Sequence, residues 1–201
     1  MRVVFVSVSI VIVDQITKLL VKGLSVPPLG IHWEGMRYGT SIPVLGDFFR
    51  LTYIENAGMA FGIDVGGKLF FSIVSIVASI AILVYLYRAR HTLVAFRLSL
   101  ALILGGALGN LIDRAFYGIL FNGGALFSGR VVDFFDVDFF DITIGSYQLH
   151  RWPVFNIADA CVSIGVILLL FVHRSAEEKS REAAVAGGSP TPDAAGTDKG
   201  S

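Results

Sequence analysis

Four apolar runs constrain this chain more than any other feature. A helix crosses the hydrocarbon of a bilayer with about 20 mostly apolar residues. Runs of that kind lie at 3–21, 69–87, 95–112 and 154–172 of the 201 residues. Loops and open sheet edges are excluded from lipid, so such runs must be helices. They also account for a composition that is 54% hydrophobic. The first run carries Asp14 and Lys18 where a signal peptide would place a small-residue cleavage site, and Ala-x-Ala is absent, so it reads as a retained span.

Basic residues set the expected orientation. The short connection between the second and third runs holds Arg88, Arg90 and Arg97, and the C-terminal flank holds Arg174, Lys179 and Arg181. Both termini are therefore expected in the cytoplasm, and the two long connections, about 22–68 and 113–153, outside. The stretch 42–63 alternates short runs of β-formers with Gly and Asn, which predicts a small extracytoplasmic β subdomain. Phe48, Phe49, Tyr53 and Phe61 are candidates for the headgroup level or for a β core. Residues 175–201, rich in Ala, Gly, Ser, Glu and Pro, predict a disordered cytoplasmic tail. The fold class is a mainly α, polytopic membrane protein with four transmembrane helices in residues 1–174.

Other chemistries have little support. Net charge is +0, which argues against nucleic acid as a partner. The single cysteine, Cys161, lies in an apolar run, and His32, His91, His150 and His173 show no metal-ligand spacing, so neither a metal nor another cofactor is expected.

Ionisable groups within a span cost from about 2.5 to 3.5 kcal/mol each at its centre, which makes them functional candidates. Here they gather at one depth, near the outer ends of three runs. Asp14 and Lys18 are one helical turn apart on one face, a spacing that also suits a local ion pair lowering the cost of insertion. Asn110 and Asp113 share a face. Asp113 can pair with the neighbouring Arg114 or with a donor on another helix. Gly105 and Gly109 form a small-xxx-small pattern that permits close helix approach. Asn156 and Asp159 repeat the three-residue spacing after Pro153, which suits a helix start. Capping explains Asn156 better than Asp159, which is expected too far into the helix for that role, though the macrodipole there favours a carboxylate. Asp133 lies in a short outer-loop segment whose apolar neighbours would press it against the membrane or the helix bundle. Asp133 could equally be an ordinary loop carboxylate, a reading that the closely following Asp136, Asp138 and Asp141 support.

Taken together, DQITK (14–18), ENAGMAFG (55–62), GGALGNLIDR (105–114), VVDF (131–134) and WPVFNIAD (152–159) resemble the lipoprotein signal peptidase family, in order and with four spans, over roughly residues 3–172. The resemblance implies an aspartic endopeptidase of the bacterial inner membrane. Such an enzyme cuts diacylglyceryl-modified prolipoproteins just before the lipidated cysteine. The implied catalytic dyad is Asp133 and Asp159. Asp14, Lys18, Asn56, Gly58, Asn110, Asp113, Arg114 and Asn156 would line or order the site. The implied partners are prolipoproteins, membrane lipids and globomycin-type inhibitors. The segments 115–130 and 135–151 look longer than is usual for the family, and the second has room for an extra hairpin or lid. A transporter or channel subunit would instead line a route through the bilayer with polar groups. The Gly-x-Gly-Asp motif of another class of intramembrane aspartyl protease is absent.

Overall fold

The computed structural model describes residues 2–60, 63–64, 67–138, 142–144, 147–149 and 151–187. Phe61, Asp141 and residues 188–201 lie outside them. Four helices are long and apolar enough to cross a membrane: α1 (Val4–Lys22), α2 (Gly67–Arg88), α3 (Val94–Ile112) with its continuation, and α5 (Ile157–Gly187). Large apolar side chains such as Phe5, Val77 and Leu170 are more than 60% exposed on the outer faces, as expected for a bundle solvated by lipid.

The third helix is the centre of the bundle and packs against α1, α2 and α5. Small residues on its surface allow this. A side chain at Gly105 would run into Ile10 of α1, and one at Gly106 would lie 2.3 Å from the Ala158 carbonyl of α5. Gly109 faces both neighbours, meeting Asp14 and Ala158. The Ser7 hydroxyl fastens the buried α1–α3 seam by donating to the Ala101 carbonyl at 2.8 Å.

The third helix does not stop at Ile112. It widens into a π turn over Asp113–Tyr117 and resumes as α4 (Gly118–Asn122). A π turn frees carbonyls from the i→i+4 ladder and is frequent at functional sites. The returning loop collects them: Gly129 N–H donates to the Arg114 carbonyl at 3.0 Å and Phe127 N–H to the Ala115 carbonyl at 3.1 Å. A Cβ on Gly129 would lie 2.0 Å from the Asp113 carbonyl oxygen. Gly129→Ala is therefore expected to destabilise the protein by about 1–3 kcal/mol, the usual cost of overpacking, read as a lowered thermal midpoint in detergent.

The β elements gather at one end of the bundle. Strands β1 (Leu24–Val26) and β2 (Ile31–Trp33) form a separate hairpin after α1. Its signal in the sequence is Pro-Pro-Leu-Gly between two short runs. Strands β3 (Ser41–Leu45), β4 (Phe49–Asn56) and β7 (Val131–Val137) form an antiparallel sheet in the order β3-β4-β7. Two-residue strands β5 (Met59–Ala60) and β6 (Ile63–Asp64) pair with each other. Asp133 therefore sits on a sheet strand, and the loop expected there is corrected. Tyr53 is buried at 5% exposure in a core with Val21, Tyr117, Val132 and Phe134, whereas Phe48 is 52% exposed.

The segment 135–151 contains a hairpin, β8 (Ile142–Ile144) with β9 (Tyr147–Leu149). Its base is closed. Trp152 N–H donates to the Val137 carbonyl at 3.2 Å, and Arg151 bridges Asp136 at 2.8 Å and Asp138 at 3.0 Å. Thr52 donates to the other oxygen of Asp136 at 2.7 Å. The chain then runs back along β7 through the Phe135–Phe155 bridge, which delivers Asn156 beside Asp133.

At the other end, α5 continues through Gly187, where a disordered tail is expected from 175 onward. Residues 175–187 are dominated by Ala, Glu, Lys and Arg, which are strong helix formers, and they prolong a helix already nucleated by the span.

Candidate active site

Three helix ends and two strands bring the polar residues together. Lys18 is fully buried, and its ammonium has three protons to place. It places them on Asp14 at 2.8 Å, Asp113 at 2.8 Å and the Asn110 Oδ1 at 2.8 Å. Asp113 is therefore held by a donor on another helix, and Arg114 makes no ion pair with it among the described residues. The other Asp113 oxygen accepts from Gln15 Nε2 at 2.8 Å.

These carboxylates also fix backbone. Asp14 Oδ1 accepts the Ala158 N–H at 3.0 Å, in the first turn of α5, where amides lack helical partners. Asp113 Oδ2 accepts the Val132 N–H at 3.1 Å, one residue before Asp133. One buried lysine thus connects the start of α5 to strand β7.

Asn156 is the N-cap of α5 and Asp159 its third helical residue. The Asp159 N–H donates to Asn156 Oδ1 at 2.9 Å, and the Asn156 N–H donates to Asp159 Oδ2 at 3.3 Å. This is the reciprocal pattern of a capping box. Asp159 caps after all, because α5 begins at Ile157, later than the apolar run suggests. Its Oδ1 accepts from Asn110 Nδ2 at 2.7 Å.

Asp133 approaches from the sheet and is 2% exposed. Asn156 Nδ2 donates to its Oδ1 at 2.6 Å and also reaches Asn110 Oδ1 at 3.0 Å. Asn56, diagonal to it on β4, makes a further side-chain hydrogen bond. Asn56 is oriented by accepting the Gly58 N–H at 2.9 Å, a turn in which Gly58 takes φ +102°, a conformation that favours glycine. Burial first, and then the negative charge of Asp159, push the Asp133 carboxyl up to about 8, against the lowering pull of Lys18 and the two asparagines.

Both carboxyls are therefore hydrogen-bonded to Asn156, Asp133 to its side chain and Asp159 to its backbone N–H, and Asp133 feels the charge of Asp159. Arg114 lies within the field of both, with its guanidinium 5.8 Å from the Phe71 ring centroid. Asp136 and Asp138 belong elsewhere, on Arg151.

The residues expected to line the site gather around this centre, and Gln15 joins them. It donates to Asp113 and to the Gly109 carbonyl at 3.1 Å, and Tyr117 donates to it at 3.1 Å. Its place in the polar DQITK run is a signal that could have found it. The Lys22–Glu55–Tyr53 network, which ties the end of α1 to β4, carried no such signal.

The family model described as signal peptidase (SPase) II matches residues 6–174. The lipoprotein signal peptidase of Porphyromonas gingivalis is 37% identical over 195 residues, covering 83% of this chain and 80% of the relative. That of Halothermothrix orenii is 37% identical over 161 residues, covering 80% and 87%. A solved structure described as a bacterial membrane enzyme, obtained by the in meso method, superposes with a TM-score of 0.64 at 30% identity, over 87% of this chain and 88% of the other. A second gives 0.62 at 31%, over 85% and 91%. With the four spans and the buried polar centre, these matches establish that the chain belongs to the lipoprotein signal peptidase (signal peptidase II) family.

Proposed function

We propose that this protein is an aspartic endopeptidase of the bacterial inner membrane. It removes signal peptides from diacylglyceryl-modified prolipoproteins by cutting just before the lipidated cysteine. Both termini face the cytoplasm, and the sheet and the site face outward. The observation that carries this reading is that Asn156 holds both carboxylates, Asp133 by its side-chain amide at 2.6 Å and Asp159 by its backbone N–H at 3.3 Å.

Amide hydrolysis by such a pair needs one proton between two carboxyls, because two close like charges do not both ionise readily. Asp133, buried and pushed up to about 8, holds that proton at neutral pH. Asp159 takes a proton from the attacking water while Asp133 hydrogen-bonds the scissile carbonyl oxygen. The proton movements then reverse to protonate the leaving amine. Asn110 and Asn156 keep both carboxyls in place, and Asn56 and Gly58 support the strand that carries the acid. Acyl chains on the substrate cysteine supply anchoring, at about 0.8 kcal/mol per buried CH₂. Globomycin-type lipopeptides would bind across the same two carboxyls.

The test is incubation of the purified protein with a prolipoprotein with and without its diacylglyceryl group. Mass spectrometry should find a product beginning at the modified cysteine from the lipidated form alone. Cleavage elsewhere, or of neither form, would overturn the reading.

The pH dependence has a definite sign. If Asp133 must carry the proton, kcat/KM is expected to fall as pH rises through about 8. Stability moves the same way. From its ordinary value of 3.8 up to about 8 the folded protein holds a proton that the unfolded chain has released, so folding stability declines with pH across that window. A pH–rate profile alongside thermal unfolding at each pH reads both.

A further inference from the structure

The β1–β2 hairpin is built as an appendage of α1. Its base is pinched where Gly23 and Gly35 meet: a Cβ on Gly35 would lie 2.3 Å from the Gly23 nitrogen and 2.6 Å from the Val21 carbonyl. Met36 N–H closes the base by donating to that carbonyl at 2.7 Å. The cross-strand pairs are Leu24 with Trp33, Ser25 with His32, and Val26 with Ile31. Side chains alternate across a strand, so Leu24, Val26, Ile31 and Trp33 share one face and Ser25 and His32 the other.

A two-stranded hairpin alone is marginal in water and needs its apolar face covered. Among the described residues, protein covers that face only in part: Leu24 and Val26 are half-buried, but Trp33 is 54% exposed, Ile31 45%, and Leu29 in the connecting turn 71%. No third strand joins the hairpin among those residues. The indole N–H of Trp33 donates to the Leu20 carbonyl at 2.8 Å, in the last turns of α1. Leu20 and Ile16 are themselves 52% and 53% exposed on a helix long and apolar enough to span the bilayer. The apolar face of the hairpin therefore continues the lipid-facing surface of α1 at the level where that helix leaves the hydrocarbon. Tryptophan is enriched at this level because its ring is apolar and its N–H needs an acceptor.

We propose that the β1–β2 hairpin lies on the phospholipid leaflet in which α1 ends, with Leu29, Ile31 and Trp33 seated at the boundary between headgroups and acyl chains. It fixes the height of α1, and through Asp14 and Lys18 the height of the buried polar centre. This inference stands apart from the proteolytic reading and is tested without substrate.

The experiment uses the Trp152→Phe protein, in which Trp33 is the remaining tryptophan, in phosphatidylcholine vesicles containing lipids spin-labelled at the headgroup, the upper chain or the chain end. Trp33 emission should be quenched most by the upper-chain or headgroup label, and several-fold less by the chain-end label or by aqueous iodide. Ile31→Glu should reduce the lipid quenching several-fold, while Ser25→Glu, on the polar face, should not. If Trp152→Phe does not fold, the same component is read as the lipid-quenched signal lost on going from wild type to Trp33→Phe. Strong iodide quenching without lipid quenching would overturn the proposal in favour of a solvent-facing hairpin. Shielding from both quenchers would overturn it in favour of a protein partner or a second copy.

Discussion

Replacement of Asp133 or Asp159 by Asn is expected to slow cleavage by about 10²–10⁴-fold, the usual worth of a positioned general acid or base. The substitution keeps the shape of the side chain but removes the shared proton. In Asp133→Asn the new amide faces the Asn156 Nδ2 that in the native protein donates to a carboxyl oxygen at 2.6 Å, and the amide oxygen can accept in its place. Asp159→Asn keeps one acceptor for Asn110 Nδ2 or for the Asn156 N–H, but not both with equal geometry. Folding should therefore be nearly untouched in the first variant and modestly weakened in the second. Single-turnover rates with lipidated substrate, compared with unfolding midpoints, separate the two effects. Loss of activity that merely tracks loss of folding would contradict a catalytic role.

The largest stability change is expected from Lys18→Met. Lys18 is fully buried and is the ion-pair partner of both Asp14 and Asp113. Removing one member of a buried charge network leaves its partners uncompensated and costs about 3–5 kcal/mol. The damage should spread, because Asp14 holds the first turn of α5 and Asp113 holds Val132 beside Asp133. Thermal unfolding in detergent is expected to show a large drop for Lys18→Met. Partial recovery is expected when Asp113→Asn is added, since that removes one stranded negative charge. An unchanged midpoint for Lys18→Met would show that the network contributes little.

Much of this arrangement was legible in the chain. Apolar length located the four helices long and apolar enough to cross a membrane to within a few residues at most ends, and the cost of charge within such runs singled out Asp14, Lys18, Asp113 and Asp159. What the linear order hid were choices settled in three dimensions. Asp113 is adjacent to Arg114 in sequence, yet it pairs with Lys18, because the close α1–α3 seam brings that ammonium nearer. The π turn at Asp113–Tyr117 has no local signature: it exists because Gly129 and Phe127 return to take its carbonyls. Asp133 read as a loop residue because its apolar flanks suggested contact with the bundle. Those same residues, Val131, Val132 and Phe134, are strand formers whose partner β4 lies far back in the chain. The cap role of Asp159 depended on where α5 starts, and apolar patterning places helix ends poorly.

The most direct test of the central claim, that Asp133 and Asp159 are the working pair while Asp113 orders them, is the single-turnover cleavage of a lipidated prolipoprotein by Asp133→Asn and Asp113→Asn side by side. Each is measured at a temperature well below its own unfolding midpoint. The expected result is turnover slowed by about 10²–10⁴-fold in a stably folded Asp133→Asn, and a much smaller slowing in a less stable Asp113→Asn. Robust turnover by Asp133→Asn, with none by a well-folded Asp113→Asn, would contradict the claim and move the dyad to Asp113 and Asp159.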